Sequence, residues 1–191
     1  TYMKIGVPKE IKPQENRIGL TPDSVKALTS NGHEVLVEND GGFEAGFDNE
    51  QYKKAGAKIV NKAEDIFNEA ELIVKVKEPL SNEVKMIREN QIVFTYLHLA
   101  AAKELTQGLI NSKGVCIAYE TVTDNNGRLP LLAPMSAVAG RMSVQAGAHC
   151  LEKNQKGRGL LLGGAPGVNP GNVVILGGGV VGENAAIIAT G

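Results

Sequence analysis

The sequence predicts an α/β fold with a mainly parallel sheet, and two observations lead to this prediction. Over residues 1–130, short β-branched and aliphatic runs alternate with helical segments, which is typical of βαβ units with helices on the faces of a sheet. Near the end of the chain, a further aliphatic run over residues 173–176 leads into a glycine-rich turn and an alanine-rich helical segment. These observations indicate one α/β domain and the beginning of a second.

The first predicted elements follow directly from local sequence signals. Residues 4–8 predict a short strand. Thr21, Pro22 and Asp23 then begin a helix, because they supply an N-cap side chain, a proline at the first turn and an acid near the positive end of the helix dipole. That helix is expected to end near Gly32. The next elements are predicted over residues 33–38 (strand), 39–47 (loop) and 50–55 (helix).

Strand and helix continue to alternate with short connections after this point. The predicted strands cover residues 58–60, 72–77, 92–97 and 115–119. The predicted helices cover residues 63–70, 82–89 and 101–111. A turn over residues 124–127 leads to a long segment, residues 134–154, with small and apolar residues at helical spacing. This composition suits a helix that packs closely against another element.

The turn that follows residues 173–176 has the pattern Gly-x-Gly-x-x-Gly. Gly177 permits the tight turn, Gly179 allows a pyrophosphate to approach the backbone, and Gly182 allows the helix to pack against the strand. The helix N-terminus then offers free N–H groups and a positive dipole end to phosphates. Glycine-rich turns also occur for packing alone, but a position between a buried parallel strand and a helix favours dinucleotide binding.

These patterns divide the chain into three predicted parts. They are a Rossmann-like α/β domain (1–130), a connector helix (131–157) and the first strand, turn and helix of a second, dinucleotide-binding Rossmann domain (158–191). The acidic residue that holds the ribose is expected about 20 residues beyond the glycines, and the chain ends at Gly191. We therefore expect this sequence to be a fragment of a longer protein.

Composition excludes several classes of function. The hydrophobic fraction of 42% and the charged fraction of 21% are ordinary for a soluble globular protein. A formal net charge of −1 gives no reason to expect nucleic acid or an anionic membrane as partner, and no apolar run approaches the roughly 18 residues of a membrane span. Cys116 and Cys150 are too few for a disulfide framework, so we expect buried free thiols in a reducing cytoplasm. We expect no metal site.

Ionisable side chains follow several of the predicted strands, at the edge where open parallel sheets bind ligands. They are Arg17, Lys75, Lys77, His98 and Glu120. Each has a simpler interpretation, because a loop charge, a strand end or a helix cap would also place such residues there. Their shared edge makes a functional site the better interpretation of the group. Arg can hold a carboxylate with two parallel hydrogen bonds, Lys adds a point charge, and His moves protons near neutral pH. Beside a nicotinamide cofactor, this set fits hydride transfer on a small α-carbon acid.

The sequence resembles the bacterial L-alanine dehydrogenase family through essentially its whole length. The segments that carry the resemblance are Lys4-Ile5-Gly6-Val7-Pro8-Lys9-Glu10, Glu15-Asn16-Arg17-Ile18, Lys75-Val76-Lys77-Glu78-Pro79, Phe94-Thr95-Tyr96-Leu97-His98-Leu99-Ala100 and Leu131-Leu132-Ala133-Pro134-Met135-Ser136. The resemblance implies reversible, NAD-dependent oxidative deamination of L-alanine to pyruvate and ammonia by a cytoplasmic homo-hexamer.

The resemblance also implies roles for individual residues. Arg17 would bind the substrate carboxylate, Lys77 would contact the carboxylate and the carbonyl or amine, and His98 would be the acid–base residue. The residues that would contact NAD are Ser136, Gly177, Gly179, Val180, Val181 and Gly182. Lys75 and Glu120 receive only supporting roles.

This sequence departs from the family in two respects. The family chain is nearly twice as long and carries a catalytic aspartate beyond the last residue of this chain, and Ala137 stands where the family usually has Glu. We therefore expect no turnover by the 191-residue chain alone.

Two alternatives to alanine dehydrogenase are open. One alternative is the NAD-binding subunit of the proton-translocating transhydrogenase, which has no need of an amino-acid site. The other is a non-catalytic fragment that binds carboxylates or associates with itself.

Overall fold

Six short strands form one parallel sheet in the first part of the chain. In the computed structural model, which describes residues 2–191, the strands lie in the order β3-β2-β1-β4-β5-β6, and every neighbouring pair is parallel. Their bounds are β1 Lys4–Val7, β2 Glu34–Glu38, β3 Lys58–Val60, β4 Leu72–Val74, β5 Ile92–Thr95 and β6 Val115–Ala118. This is the strand order of the doubly wound Rossmann fold, so the predicted α/β class is confirmed.

Helices connect successive strands. They are α1 Pro22–Ser30, α2 Asn49–Lys54, α3 Ala63–Glu69, α4 Ser81–Val84 and α5 Lys103–Ser112. The predicted start of α1 is confirmed, because the Thr21 side chain accepts a hydrogen bond from the Ser24 N–H and Pro22 begins the helix. The predicted helix over residues 82–89 is shorter than expected, and α4 has only four residues.

The sheet has a hydrophobic core on each face. Successive side chains of a strand point to opposite faces, and in β2 this places Val35 and Val37 in one core and Leu36 in the other. The first core also contains Val25 of α1, and the second also contains Ile66 of α3. Helices on both faces of the sheet are the arrangement that the strand–helix alternation predicts.

Gly6 in β1 illustrates how closely these layers pack. A Cβ atom at this position would collide with Ile66 Cγ2 of α3 and would lie 2.8 Å from Cβ of Ala70, the residue that follows α3. We expect Gly6→Ala to destabilise the first unit by about 1–3 kcal/mol, the range for overpacked cores. The measurement is urea unfolding followed by tyrosine fluorescence, because all four tyrosines lie before residue 122 and the chain has no tryptophan. Gly163→Ala is the control, since its added Cβ meets no atom within 4 Å, and an equal midpoint for the two variants would contradict the prediction.

The remainder of the chain contains two α-helices. The chain divides after Thr121, and the second unit contains α6 Ala133–Cys150 and α7 Val180–Thr190. A Cβ at Gly140 of α6 would collide with the Val181 carbonyl of α7, so the expected close packing of this long helix is confirmed. The domain boundaries proposed at residues 130 and 157 stay predictions.

The predicted buried strand over residues 173–176 was wrong. These residues are in no strand, and the side chains of Val174 and Leu176 are 82% and 95% exposed. A strand needs a neighbour to bond its N–H and C=O groups, and between Val122 and Gly191 the structure contains no strand to pair with it.

The structure shows the state of the two cysteines, the hydropathy of the helices and the grouping of possible metal ligands. Both cysteines are free, and Cys116 is half-buried, but the expectation of burial was wrong for Cys150, which is exposed at the last residue of α6. None of the helices formed by residues 2–191 has the length and hydropathy of a membrane span. Those residues also form no group of three or more His, Cys, Asp or Glu side chains that could hold a metal ion.

Candidate functional site

The first unit places its candidate ionisable side chains near the point where the strand order reverses, between β1 and β4. β1 pairs with β2 on one side and with β4 on the other, and ligands of open α/β sheets bind beyond the carboxyl ends of the strands at such a point. We call the loops that leave β1, β4, β5 and β6 at this edge the ligand rim; they comprise residues 8–20, 75–80, 96–98 and 119–121.

Beneath the ligand rim lies a buried ion-pair triad. Lys75 Nζ lies 3.0 Å from Glu10 Oε2 and 2.8 Å from Glu83 Oε1, and all three side chains are at most 2% exposed. Lys75 was predicted to lie at this edge beside Lys77, with only a supporting role. Two carboxylates already surround its ammonium group, so Lys75 supports the rim from below.

Glu10 links this triad to Lys77. Its Oε1 accepts hydrogen bonds from the backbone N–H groups of Val76, at 2.6 Å, and Lys77, at 3.2 Å. Thr95 Oγ1 donates to the Lys77 carbonyl at 2.8 Å. The backbone of Lys77 is therefore held on both sides. Within residues 2–191 no carboxylate lies at ion-pair distance from Lys77 Nζ, so its charge is available to an anionic ligand.

Arg17 is held by an acidic neighbour in its own loop. Arg17 Nε donates to Glu15 Oε1 at 2.7 Å and Nη2 donates to Oε2 at 2.6 Å, a bidentate pair. The hydrogen bonds from Arg17, with a smaller contribution from Lys77, lower the pKa of Glu15 to about 2. Glu15 therefore stays ionised at neutral pH, and Lys77 lies near enough to Glu15 for its charge to contribute to the lowered pKa.

The ion pair between Arg17 and Glu15 makes the stability of the protein depend on pH in acid. The pKa of Glu15 is lowered from 4.5 to about 2, so the contribution of the ion pair to the free energy of unfolding is complete above pH 4.5. This contribution is lost as the pH falls from 4.5 towards 2. The Arg17 side chain is 42% exposed, which limits the contribution to about 1 kcal/mol. We expect the stability difference between wild type and Glu15→Gln to shrink over this interval in urea unfolding. A difference that stays constant from pH 6 to about pH 2 would refute the ion pair.

His98 lies at the end of β5 in an unusual backbone conformation. Its φ of 51° and ψ of 39° place it in the left-handed region, and it caps a short 3-10 helix, Leu99–Ala101. The carboxylate of Glu120 accepts hydrogen bonds from the N–H groups of His98, at 2.7 Å, and Leu97, at 3.0 Å. The Tyr96 ring stacks on the imidazole, with centroids 6.1 Å apart and an interplanar angle of 14°.

Electrostatic effects show that these groups share one neighbourhood. Burial raises the pKa of Tyr96, and the positive charge of Arg17 opposes this change. Burial also acts to raise the pKa of Glu78, but the hydrogen bond from Lys12 and the nearby charge of His98 hold it below its ordinary value. The structure thus brings Arg17 and His98 to Tyr96, and Thr95, the residue before Tyr96, holds the Lys77 backbone. Two cations and a proton-transferring imidazole can hold a small carboxylate and exchange protons with a group attached to its α-carbon.

The residues predicted to bind the cofactor lie together in the second unit. Ser136, Gly177, Gly179, Val180, Val181 and Gly182 all line one cavity of about 720 Å³. Gly177 has a φ of 103°, which favours glycine, and a Cβ at Gly182 would collide with the Gly177 carbonyl. A Cβ at Gly179 would meet no atom within 4 Å, so the space above this backbone is open. The first N–H groups of α7, which begins after Gly179, have no acceptor within their helix. This loop therefore fits a pyrophosphate.

Reasoning from the sequence missed the acidic residues that organise the rim. Glu10 and Glu15 were named only within the segments that carry the family resemblance, and neither was given a role. A signal existed for Glu15, because it lies two residues before an arginine that needs a fixed orientation. No such signal identified Glu10, because its partners Lys75, Val76 and Lys77 are more than 60 residues away.

Comparison with known proteins assigns the chain to a family. The family model described as "Alanine dehydrogenase/PNT, N-terminal domain" matches residues 6–139, and "Alanine dehydrogenase/PNT, C-terminal domain" matches residues 143–191. The alanine dehydrogenases of Halomonas elongata and Bacillus subtilis are 55% and 54% identical over 189 residues, which is 99% of this chain and 51% and 50% of theirs. The chain thus spans about half the length of the curated relatives it matches.

Solved structures give the same result. A structure of L-alanine dehydrogenase aligns with a TM-score of 0.91 and 56% identity, covering 98% of this chain and 52% of that chain. A transhydrogenase from Sinorhizobium meliloti aligns with a TM-score of 0.80 and 25% identity, covering 98% and 55%. Since the first family model covers more than half of the chain, the chain belongs to the alanine dehydrogenase/PNT family.

Proposed function

We propose that this chain carries the substrate half of an NAD-dependent alanine dehydrogenase, which converts L-alanine reversibly to pyruvate and ammonia. The observation that supports this proposal most directly is the ligand rim, which brings Arg17 and His98 to Tyr96 and holds Lys77 on a fixed backbone. The high identity to proteins named alanine dehydrogenase supports the same substrate.

Each rim residue has a distinct proposed role. Lys77 attracts the substrate carboxylate as a point charge on a fixed backbone, and Arg17, oriented by Glu15, donates hydrogen bonds to it. His98 is exposed at the rim and exchanges protons at the nitrogen or oxygen on the α-carbon of the substrate. Together they orient the α-carbon and provide acid–base catalysis.

The proposed cofactor is NAD, which when bound accepts the hydride from the α-carbon. The turn residues Gly177, Gly179 and Gly182 and the N-terminus of α7 would hold its pyrophosphate, and Ser136 would contact it from α6. We further propose that the protein works in the cytoplasm as a homo-oligomer, a hexamer as the resemblance implies. Light scattering of the purified protein tests the hexamer.

The experiment that tests the reaction joins residues 1–191 to the remaining half of the Bacillus subtilis relative, which is 54% identical over the matched part. Alanine-dependent formation of NADH by this chimera is the predicted result, with a loss of about 100-fold or more in Arg17→Ala and in His98→Ala. Lys58→Ala, at the exposed start of β3, is the control and should retain activity.

The same assay distinguishes the transhydrogenase alternative, which the structural likeness to the Sinorhizobium meliloti protein supports. A folded chimera that binds NAD but forms no NADH with alanine would favour that alternative and contradict the proposal. The 191-residue chain alone is expected to show no turnover in this assay.

A further inference from the structure

Glu120 makes its closest contacts with the backbone that carries His98. It lies in the 3-10 turn Tyr119–Thr121, directly after β6, whereas His98 follows the neighbouring strand β5. Glu120 Oε1 accepts from the His98 N–H at 2.7 Å and from the Leu97 N–H at 3.0 Å, and Oε2 lies 3.3 Å from the Leu97 nitrogen. One carboxylate therefore binds two successive N–H groups across two strands.

The backbone at His98 needs such support. A residue with a side chain in the left-handed region, here with φ 51°, is held there only when its surroundings stabilise that conformation. The preceding residue, Leu97, is 1% exposed in the core of the sheet. The chain thus leaves the core at Leu97 and turns sharply to present the imidazole, and Glu120 binds both residues of this turn.

The aromatic side chains beside the turn fix the position of Glu120 in its own loop. Tyr119 packs edge-on against Phe94 and Tyr96, with ring centroids 4.3 and 4.9 Å away. Tyr96 in turn stacks on the imidazole of His98. Burial acts to raise the pKa of Glu120, but the backbone hydrogen bonds, that of His98 foremost, hold it below its ordinary value. The carboxylate therefore stays ionised, as a strong acceptor requires.

We propose that Glu120 is the positioning residue of His98, which sets the direction of the imidazole towards the substrate. This inference rests on the proposed function for the identity of the substrate, and it assigns to Glu120 a role that it performs without touching the substrate. Glutamine at this position keeps a carbonyl oxygen that can accept from the same N–H groups, whereas alanine removes the acceptor altogether.

The first measurement is independent of any ligand. The chain has three histidines, so its Hε1–Cε1 NMR spectrum has three signals, and His98→Ala identifies that of His98. Glu120→Ala should shift or broaden only the His98 signal, and Glu120→Gln should change it less. Glu89→Ala, an exposed glutamate, is the matched control and should leave all three signals in place. An unchanged His98 signal in a folded Glu120→Ala protein would overturn the proposal.

The second measurement is a double-mutant cycle on pyruvate binding by calorimetry. Glu120→Ala should weaken binding about 10-fold, the scale of one lost charged hydrogen bond, with substantial recovery in Glu120→Gln. The effect of Glu120→Ala should vanish in the His98→Ala background, because the residue acts through the imidazole. An effect of equal size in both backgrounds would show a merely structural role and contradict the proposal. Absence of pyruvate binding by the wild type would instead count against the proposed function, and the NMR result would still decide the role of Glu120.

Discussion

Lys75→Met is expected to destabilise the first unit by about 3–5 kcal/mol, the cost of removing one partner from a buried ion pair. Glu10 and Glu83 would then face each other as carboxylates with no cation between them, in a site where all three side chains are at most 2% exposed. Small domains have only about 5–15 kcal/mol of total stability, so this variant would be close to unfolding. The loss should also loosen the Lys77 backbone, because Glu10 holds its N–H group.

Urea unfolding followed by tyrosine fluorescence measures this effect, since all four tyrosines lie in the first unit. Lys85→Met is the matched control, because Lys85 is exposed, and it should change stability by less than about 0.5 kcal/mol. Adding Glu10→Gln and Glu83→Gln to Lys75→Met should restore part of the loss, because no buried charge then remains. If Lys75→Met unfolds at the same urea concentration as Lys85→Met, the buried triad does not stabilise the fold.

Arg17→Ala is expected to weaken pyruvate binding by about 100-fold or more, because it removes charge-assisted hydrogen bonds to the carboxylate. The variant also leaves the Glu15 carboxylate without its guanidinium partner, as an uncompensated negative charge beside the ligand. The double variant Arg17→Ala with Glu15→Gln should therefore bind better than Arg17→Ala alone, since it lacks that repulsion.

Calorimetry with the 191-residue chain measures these affinities. Arg17→Lys keeps the charge but loses the planar fork, and its affinity should fall between those of wild type and Arg17→Ala. Lys58→Ala is again the control for a cation remote from the rim. Binding of pyruvate by Arg17→Ala with wild-type affinity would show that the carboxylate binds elsewhere.

Much of the fold could be predicted because it depends on local signals. The hydrophobic runs identify all six strands of the sheet, and the Thr21–Pro22 cap marks the start of α1 where the structure has it. The run over residues 173–176 shows the limit of such signals. Its sequence is that of a buried strand, but a strand forms only with a partner, and whether a partner is present is not a property of the run itself.

The candidate site could be predicted less completely, for a similar reason. Strand ends identify Lys77 and His98 as rim residues, because the end of a parallel strand determines where the next residue lies. Lys75 lies two residues before Lys77, so the alternation of side chains along a strand predicts the same position for both. The structure differs, because Glu10 and Glu83 enclose Lys75 from distant parts of the chain. The role of Glu120 depends equally on a contact between neighbouring strands, which the local sequence does not encode.

We propose that the ligand rim binds a small 2-oxo acid. Backbone amide NMR of the 191-residue chain during a pyruvate titration tests this proposal. Saturable shifts are expected for Arg17, Val76, Lys77, Leu97 and His98, and these shifts should be absent in Arg17→Ala. Shifts confined to other parts of the chain, or shifts at the rim that persist unchanged in Arg17→Ala, would contradict it.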